Sequence, residues 1–314
     1  MAQHDFSITC TTFNRLRRRP EPVAPFRRAR GDRGATLTPT ARARRSQTFV
    51  WLLAALLLVG AAACGPTPGR VPEGVAQPDK YLFEHGTKAL NDRKWLTARE
   101  YFRQLVDAYP QSPARPDALL GIGDTYLGEG SPEGYINAQQ EFSQFLSYYP
   151  THVRGDYAQY KLALTHYYQM RKPERDQSET RLAVEAFERF FKTYPNSKLT
   201  PEVQEKYREA RDRLSESIYE VGFFYFRQQW YPASIARFRE VLEDDPQYTY
   251  RDAVYYHLAQ SLVQVKRQAE ALPYLDRLQK EFEQSEYLGR AKELAAQLKS
   301  SLDAKLKESE GMTR

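Results

Sequence analysis

From residue 79 onward, apolar side chains recur at helical spacing and are interrupted by short polar turns that contain Gly or Pro. One pattern returns along this stretch: an Ala, a Phe four residues later and a Pro eight residues after the Phe. Its copies are Ala98, Phe102 and Pro110; Ala138, Phe142 and Pro150; Ala183, Phe187 and Pro195; Ser234, Phe238 and Pro246; and a divergent fifth copy, Ala271, Leu275 and Glu283. The copies begin 40, 45, 51 and 37 residues apart. A constant pattern at such a period predicts stacked supersecondary units.

The same periodicity, with the breakers around it, predicts eleven helices. By residue number they are 81–91, 96–108, 116–127, 135–148, 156–170, 180–193, 201–229, 231–242, 250–264, 268–282 and 285–305. We expect Asp79 and Thr200 to be N-caps, and residues 128–134 to form an added connector. In the long seventh helix, one stripe is predicted to face the core: Tyr207, Ala210, Leu214, Ile218, Val221 and Phe224.

These elements predict an all-α fold, a helical solenoid of about five helix pairs plus a C-terminal capping helix. Gly86 precedes Ala98 by 12 residues, and Gly222 precedes Ser234 by the same interval. Small residues let neighbouring helices approach closely, and the Phe of each copy is expected to fill the gap between pairs. These offsets resemble the tetratricopeptide repeat (TPR), although the periods exceed the usual 34 or so residues of that repeat. The resemblance implies a TPR array with insertions.

The N-terminal part of the chain has the character of a processing signal. Residues 1–48 are rich in Arg and Pro and are predicted to be disordered, either upstream of the true start or as a transit segment. Arg42, Arg44 and Arg45 then precede an apolar run of 15 residues, 49–63. A bilayer span needs about 20 apolar residues, so this run fits a signal peptide better than a permanent membrane helix.

The apolar run ends on three Ala residues followed by Cys64. This arrangement resembles the bacterial lipobox, in which the Cys is acylated, for example with palmitate, and becomes the mature N-terminus. An ordinary secretory cleavage site is the alternative. Gly65 follows the Cys in place of an Asp, which by the usual sorting pattern indicates the outer membrane. The predicted organisation is therefore a leader and lipoprotein signal peptide at 1–63, a flexible tether at 64–78, the solenoid at 79–305 and a frayed tail at 306–314.

The basic character of the chain, with a pI near 9.1, comes from the leader. Residues 1–63 hold 11 Arg and three acidic residues, whereas the remainder holds 35 basic and 37 acidic residues. A nucleic-acid-binding protein should carry its positive charge on the folded surface. The charge distribution therefore argues against a nucleic-acid partner.

The sequence predicts no catalytic site, no metal site and no cofactor. The chain has two Cys and five scattered His, and it lacks the spacings of common metal and phosphate motifs. His152 lies near Asp156, but two residues do not make a site. Glu100, Glu141, Glu185 and Glu188 are expected to be solvated acids on helix faces.

Three stretches of the chain resemble one family, that of the outer-membrane-protein assembly lipoprotein BamD. They are residues 149–160, which contain Tyr157 and Tyr160; residues 174–197; and residues 219–233. The resemblance covers residues 79 to about 298, with five repeats in the family's order behind a lipobox. Such a protein would be lipid-anchored at the periplasmic face of the outer membrane.

The resemblance implies a non-catalytic scaffold of the machinery that assembles outer-membrane β-barrels. Its C-terminal repeats would hold the periplasmic POTRA domains of the barrel component BamA, with other assembly lipoproteins as companions. Its N-terminal repeats would bind the aromatic-rich targeting signals of unfolded barrel proteins. Tyr126, Tyr157 and Tyr160 are the candidates for that peptide-binding groove, and Arg237 is the candidate for the partner interface.

Alternatives remain open for each of these assignments. The three tyrosines could instead pack between helices, and Arg237 could be an ordinary solvated side chain. The chain could also be another periplasmic TPR scaffold, such as a Tol–Pal coordinator or a cell-envelope adaptor. The coordinator normally places a coiled coil before its repeats, whereas here the tether leads directly into them, which favours the first interpretation.

Overall fold

A computed structural model describes the backbone of residues 71–312 and the side chains of residues 71–305. All regular structure in this part of the chain is α-helical. The helices are α1 (Pro78–Asn91), α2 (Trp95–Ala108), α3 (Arg115–Glu129), α4 (Pro132–Tyr148), α5 (Gly155–Tyr167), α6 (Ser178–Thr193), α7 (Thr200–Arg227), α8 (Tyr231–Asp244), α9 (Arg251–Gln264), α10 (Gln268–Glu281) and α11 (Leu288–Met312). None of the helices in this part of the chain combines the length and apolar character that a membrane crossing requires.

The helices form five successive pairs, α1–α2 through α9–α10, and α11 caps the last pair. Each helix packs chiefly on the helices before and after it in sequence, which is the contact pattern of a solenoid. Three apolar cores follow one another along the stack: one in repeats 1–2, one between repeat 3 and the N-terminal half of α7, and one in repeats 4–5 with the cap. The predicted all-α, TPR-like solenoid is confirmed.

The repeated Ala and Phe positions form the packing seam between the helices. Every Ala or Ser and every Phe or Leu of the five copies is fully or almost fully buried. Phe102 lies between Gly86 of α1 and Gly121 of α3, where an added Cβ would come within 2.7 and 2.5 Å of its ring. A Cβ added at Gly222 would likewise lie 2.8 Å from the ring of Phe238. Glycine is therefore required at these positions because the aromatic ring occupies the space of a side chain.

A serine–aspartate contact closes three of the repeats and was not predicted. Ser112 donates to Asp79 (2.7 Å), Ser197 to Asp156 (2.6 Å) and Ser285 to Asp252 (2.6 Å). Each Asp lies at the start of the first helix of a pair, and each Ser lies in the turn after the second helix. The same Ser hydroxyl accepts a backbone N–H two residues further on, so one side chain ties the turn to the pair that it closes.

Several predicted boundaries were wrong. Residues 128–134 do not form an added connector, because α3 continues to Glu129 and α4 begins at Pro132. Gly130 ends α3 in the left-handed conformation (φ 67°), and Ser131 caps α4 by accepting from the Gly134 N–H. Asp79 and Thr200 lie inside the first turns of α1 and α7 and are not N-caps.

The two ends of the described region also differ from the predictions. The last helix runs through Met312, beyond the end predicted at residue 305. At the other end, Val71 packs against the core of repeats 1–2. The predicted tether, 64–78, therefore contacts the folded body at residue 71. The leader, the signal peptide and Cys64 lie outside the described residues.

The long helix predicted at 201–229 is confirmed as α7, but its buried stripe is only partly as predicted. Ala210 is buried, whereas Val221 and Phe224 are 42% and 46% exposed. Tyr219, Phe223 and Phe226 pack against the core in their place, beside the buried Gly222. The C-terminal half of α7 therefore presents two apolar side chains to solvent.

Candidate peptide- and partner-binding surfaces

Tyr126 is half-buried on α3 and packs against two arginines of α2. The Arg99 guanidinium lies over its ring at 3.6 Å from the centroid, and Arg103 donates to its hydroxyl at 2.7 Å. Arg99 also forms an ion pair with Glu129 (2.6 Å) at the end of α3. The tyrosine thus belongs to a contact between two helices, and only part of its surface faces solvent.

Tyr157 is half-buried at the start of α5 and reaches back to α3. Its hydroxyl donates to Asp124 at 2.7 Å, while Arg154 and Lys161 lie over its ring at 4.4 and 5.1 Å. Burial raises the pKa of the Tyr157 hydroxyl, and the neighbouring Asp124 carboxylate raises it further. Tyr157 therefore remains a neutral hydrogen-bond donor at physiological pH.

Tyr160 does not offer a binding surface in this structure. It is only 3% exposed, packs beside Phe187 and donates to Glu202 of α7 at 2.8 Å. The prediction that it lines a groove is therefore corrected, because its ring fills the core of the third repeat.

The structure does not bring the three predicted tyrosines together. Asp124, the partner of Tyr157, and Tyr126 are two residues apart on α3, which places them about 200° apart around the helix. Tyr126 therefore faces α2, whereas Tyr157, which extends from α5, contacts the opposite side of α3. A peptide-binding role of Tyr126 and of Tyr157 stays a prediction for each residue separately.

Arg237 lies on α8 with 45% of its side chain exposed. Its guanidinium forms an ion pair with Glu240 at 2.6 Å, one helical turn further along. An exposed pair of this kind contributes little to stability, about 0.3–0.5 kcal/mol. The arginine can therefore exchange Glu240 for another carboxylate at small cost, and its partner-binding role stays a prediction.

An open cavity of about 530 Å³ lies beside the C-terminal half of α7. We call it the α7 groove, and its walls come from the α5–α6 connection, the first turn of α6 and α7. Its lining residues are Pro173, Glu174, Arg175, Gln177, Arg181, Ser217, Glu220, Val221, Phe224, Tyr225 and Arg227. The exposed Val221 and Phe224 thus form part of a concave surface.

The wall opposite α7 is held in place by a buried glutamine. Gln177 donates to the backbone carbonyls of Lys172 (2.7 Å) and Arg175 (3.0 Å), and it accepts from the hydroxyl of Thr180 (2.7 Å). The connection that the sequence indicated only as a charged loop is therefore fixed against the first turn of α6.

Three guanidinium groups and two carboxylates line the α7 groove. Arg175, Arg181 and Arg227 form no ion pair with any described residue, and neither do Glu174 and Glu220. Apolar side chains flanked by unpaired guanidinium groups suit an extended segment that carries apolar side chains and a carboxylate. One sequence signal could have found this surface. If Gly222 occupies the seam, Phe224 lies about 200° away from it and must face outward.

The pair considered for catalysis does not form a site. His152 accepts the backbone N–H of Arg154 through Nδ1 (3.2 Å), and Asp156 accepts from Ser197. The two side chains thus form hydrogen bonds in different turns and not with each other. Within residues 71–305, no group of three or more His, Cys, Asp or Glu side chains is placed to hold a metal ion.

Comparison with known proteins gives one family match and several relatives. The family model described as "YfiO: Outer membrane lipoprotein" matches residues 75–258, more than half of the chain. The chain is 28% identical to outer membrane protein assembly factor BamD of Rickettsia prowazekii, over 71% of this chain and 88% of that protein. It is 27% identical to BamD of Caulobacter vibrioides, over 64% of each. Among solved structures, the TPR2AB-domain:pHSP90-complex of yeast Sti1 is 12% identical, covers 72% of this chain and 100% of its own, and gives a TM-score of 0.36.

Proposed function

The chain belongs to the YfiO family of outer membrane lipoproteins, and we propose that it is a non-catalytic scaffold in the assembly of outer-membrane β-barrel proteins. The observation that carries this proposal is the family match over residues 75–258, together with relatives that are named outer membrane protein assembly factors. A solenoid with exposed concave surfaces supports it, because such folds bind extended segments and partner domains without chemistry of their own.

In this proposal Cys64 is acylated and holds the solenoid at the periplasmic face of the outer membrane. Two or three acyl chains give stable anchoring, whereas one chain binds only marginally. Growth with an alkyne fatty acid should label the wild-type protein and leave Cys64→Ala unlabelled. Equal labelling of the two proteins would refute this anchor.

The partners would be the POTRA domains of a BamA-like barrel protein, other assembly lipoproteins and unfolded outer-membrane proteins. The POTRA domains would bind the C-terminal repeats, where Arg237 is exposed and paired only with its neighbour Glu240. A partner carboxylate would replace Glu240 and become partly desolvated in the interface, which strengthens a charged hydrogen bond.

Unfolded barrel proteins would bind in the α7 groove rather than on the predicted tyrosines. The groove offers the exposed Val221 and Phe224 beside three guanidinium groups without ion-pair partners. Tyr160 is buried, and Tyr126 and Tyr157 each carry cationic side chains over the ring. A targeting signal that ends in an aromatic residue and a free carboxylate matches the groove in both apolar character and charge.

A peptide-binding measurement tests the position of this site. A fluorescent peptide with the C-terminal sequence of an outer-membrane barrel protein is titrated with wild-type protein and with the double variant V221S/F224S. Loss of the two apolar contacts should weaken binding by about tenfold or more, because burial of a Phe side chain is worth about 1.5–3 kcal/mol. Leu96→Ser, which alters an exposed apolar side chain on α2, is the matched control and should bind as wild type does.

The same titration with Tyr126→Ala and Tyr157→Ala separates the two candidate surfaces. Wild-type affinity in both variants is expected if the α7 groove holds the peptide. If Tyr157→Ala abolishes binding and V221S/F224S leaves it unchanged, the site lies on the N-terminal repeats.

A further inference from the structure

A second cavity, of about 250 Å³, lies on the other side of α7, between this helix and the N-terminal ends of α9 and α11. Four of its lining residues are tyrosines: Tyr219, Tyr248, Tyr250 and Tyr287. We call it the tyrosine–carboxylate pocket. Glu220 lines both this pocket and the α7 groove, so the two cavities are neighbours across α7.

The pocket carries four carboxylates, those of Glu216, Glu220, Asp252 and Glu286, and no basic side chain lines it. Asp252 accepts from Ser285, and Glu216 has one long ion pair with Arg213 (3.8 Å). Glu220 and Glu286 form no ion pair with any residue in the described part of the chain.

Two arginines adjoin tyrosines of the pocket but contact other groups as well. Arg251 donates to the backbone carbonyl of Tyr248 (2.6 Å) and pairs with Glu281 (3.6 Å). Arg290 lies over the ring of Tyr287 at 4.9 Å from the centroid, and over that of Tyr256 at 5.0 Å. Apart from the long Arg213–Glu216 pair, no ion pair within residues 71–305 neutralises the carboxylates of the pocket.

Tyr248 gives a second indication, independent of the carboxylates, that the pocket can bind a ligand. The residue is only 2% exposed and lines the pocket, yet its hydroxyl forms no hydrogen bond with any described residue. Because Tyr248 lines the pocket, its hydroxyl is free to accept a hydrogen bond from a group bound there.

The position of Tyr248 in its repeat explains why the hydroxyl has no internal partner. It lies two residues after Pro246, where other repeats place Ser112, Ser197 and Ser285. Those serines close their turns onto an aspartate. In the fourth repeat Thr249 takes over this contact by donating to Asp212 through its N–H and its hydroxyl (3.0 and 2.6 Å). Tyr248 is thereby released from the turn, and its hydroxyl faces the cavity.

We propose that the tyrosine–carboxylate pocket binds a single arginine side chain from an exposed basic segment of a partner protein. Charge complementarity selects a cation, and the tyrosine rings select one that is planar and weakly hydrated, because a guanidinium can stack on an aromatic face while it donates to carboxylates. Tyr248 accepts one of the guanidinium N–H groups. A cavity of this volume holds one side chain with its ordered water and excludes a folded element. The assignment goes beyond the proposed scaffold role and holds whatever the partner is.

The test uses a pentapeptide with blocked ends and one central arginine, and two otherwise identical peptides with citrulline or lysine at that position. Binding is followed by NMR on protein with ¹³C-labelled tyrosine rings. The arginine peptide should shift the resonances of the pocket tyrosines and bind about tenfold or more tightly than the citrulline peptide, which has the same shape without the charge. The lysine peptide should bind more weakly than the arginine peptide.

Variants assign the binding to the pocket. E220Q/E286Q should abolish the shifts, and Tyr248→Phe, which removes only the hydroxyl, should weaken binding severalfold. Glu240→Gln on α8 is the matched control outside the pocket and should leave binding unchanged, and thermal unfolding of each variant verifies that it is folded. Equal binding of the citrulline peptide, binding that survives E220Q/E286Q, or tighter binding of free spermidine than of the arginine peptide would each overturn the proposal.

Discussion

Phe102 shows at the scale of one residue how the solenoid is held together. Its ring is 1% exposed and lies between two glycines, Gly86 and Gly121, on the first helices of two successive pairs. The ring thus fills the gap within one pair and the gap to the next pair at the same time. A side chain on either glycine would have to displace an aromatic ring that is packed on all sides.

Gly121→Ala should therefore destabilise the protein although alanine favours helix formation. The added Cβ would lie 2.5 Å from the Phe102 ring, and overpacking of this kind costs about 1–3 kcal/mol. Gly289→Ala is the matched control on α11, where nothing lies within 4 Å and the helix should gain up to about 1 kcal/mol. Urea unfolding of the purified proteins measures both, and equal changes in the two variants would contradict the role of Phe102.

His257 is a second residue whose surroundings decide its chemistry. It is buried among aromatic rings, including Tyr219, Phe223 and Tyr287, and its Nδ1 lies 2.8 Å from the Ala253 carbonyl. Burial lowers its pKa from 6.5 to about 4. The imidazole is thus neutral in the folded protein over most of the physiological range.

This lowered pKa predicts a loss of stability in mild acid. Between pH 6.5 and pH 4 the unfolded chain binds a proton at His257 that the folded chain does not, so the free energy of unfolding falls as pH falls. The effect amounts to about 3 kcal/mol over this window, at 1.4 kcal/mol per unit of pKa shift. In His257→Asn, which keeps a donor near Ala253, the difference in unfolding free energy from wild type should shrink by this amount between pH 7 and pH 4. A pH-independent difference would contradict the lowered pKa.

At the scale of elements, the number and order of the helices could be predicted from apolar periodicity and prolines, because each helix buries one stripe against its neighbours. The α3–α4 connection could not, since Gly128 and Gly134 were interpreted as breakers. Gly128 instead lies inside α3 against Trp95, and Gly134 lies in the first turn of α4 beneath the Tyr126 carbonyl. Both glycines are required by close packing inside helices, which sequence alone cannot distinguish from a turn.

The candidate site was harder to predict, because it too depends on contacts between helices that the sequence does not show. Three tyrosine hydroxyls of α5 bind acids on neighbouring helices: Tyr157 binds Asp124 on α3, and Tyr160 and Tyr167 bind Glu202 and Glu209 on α7. Their partners are 33 to 42 residues away in sequence, so the pairing depends on how the helix pairs stack. Aromatic residues at helical spacing indicated a surface, whereas here they mainly connect one pair to the next.

The serine–aspartate contacts make a prediction at this scale. Ser197→Ala should destabilise the protein by about 1–2 kcal/mol, because it removes the hydrogen bond to Asp156 and the one accepted from the Leu199 N–H. Ser143→Ala changes an exposed serine inside α4 and should be neutral or slightly stabilising. Thermal unfolding compares the two. If Ser197→Ala is as stable as Ser143→Ala, the contact does not contribute to closing the repeat.

At the scale of the molecule, the exposed binding features gather around α7 and α8. The α7 groove and the tyrosine–carboxylate pocket share Glu220, and Arg237 of α8 lies against Gly222 of α7, since an added Cβ there would be 3.1 Å from the Arg237 Cβ. The N-terminal repeats present tyrosines that are largely engaged in internal contacts. We therefore propose that the fourth repeat, built from the longest of the described helices and its partner, is the main contact surface for other proteins.

The most direct test of the scaffold role is co-purification from the native membrane. C-terminally tagged protein is solubilised in mild detergent, and the proteins retained with it are identified by mass spectrometry. We expect an outer-membrane barrel protein with POTRA domains to be retained by wild type, strongly reduced with Arg237→Glu, and retained with Arg239→Glu, a neighbouring arginine on α8 that pairs with Glu270 of α10. Absence of such a barrel protein from the wild-type sample would contradict the central claim.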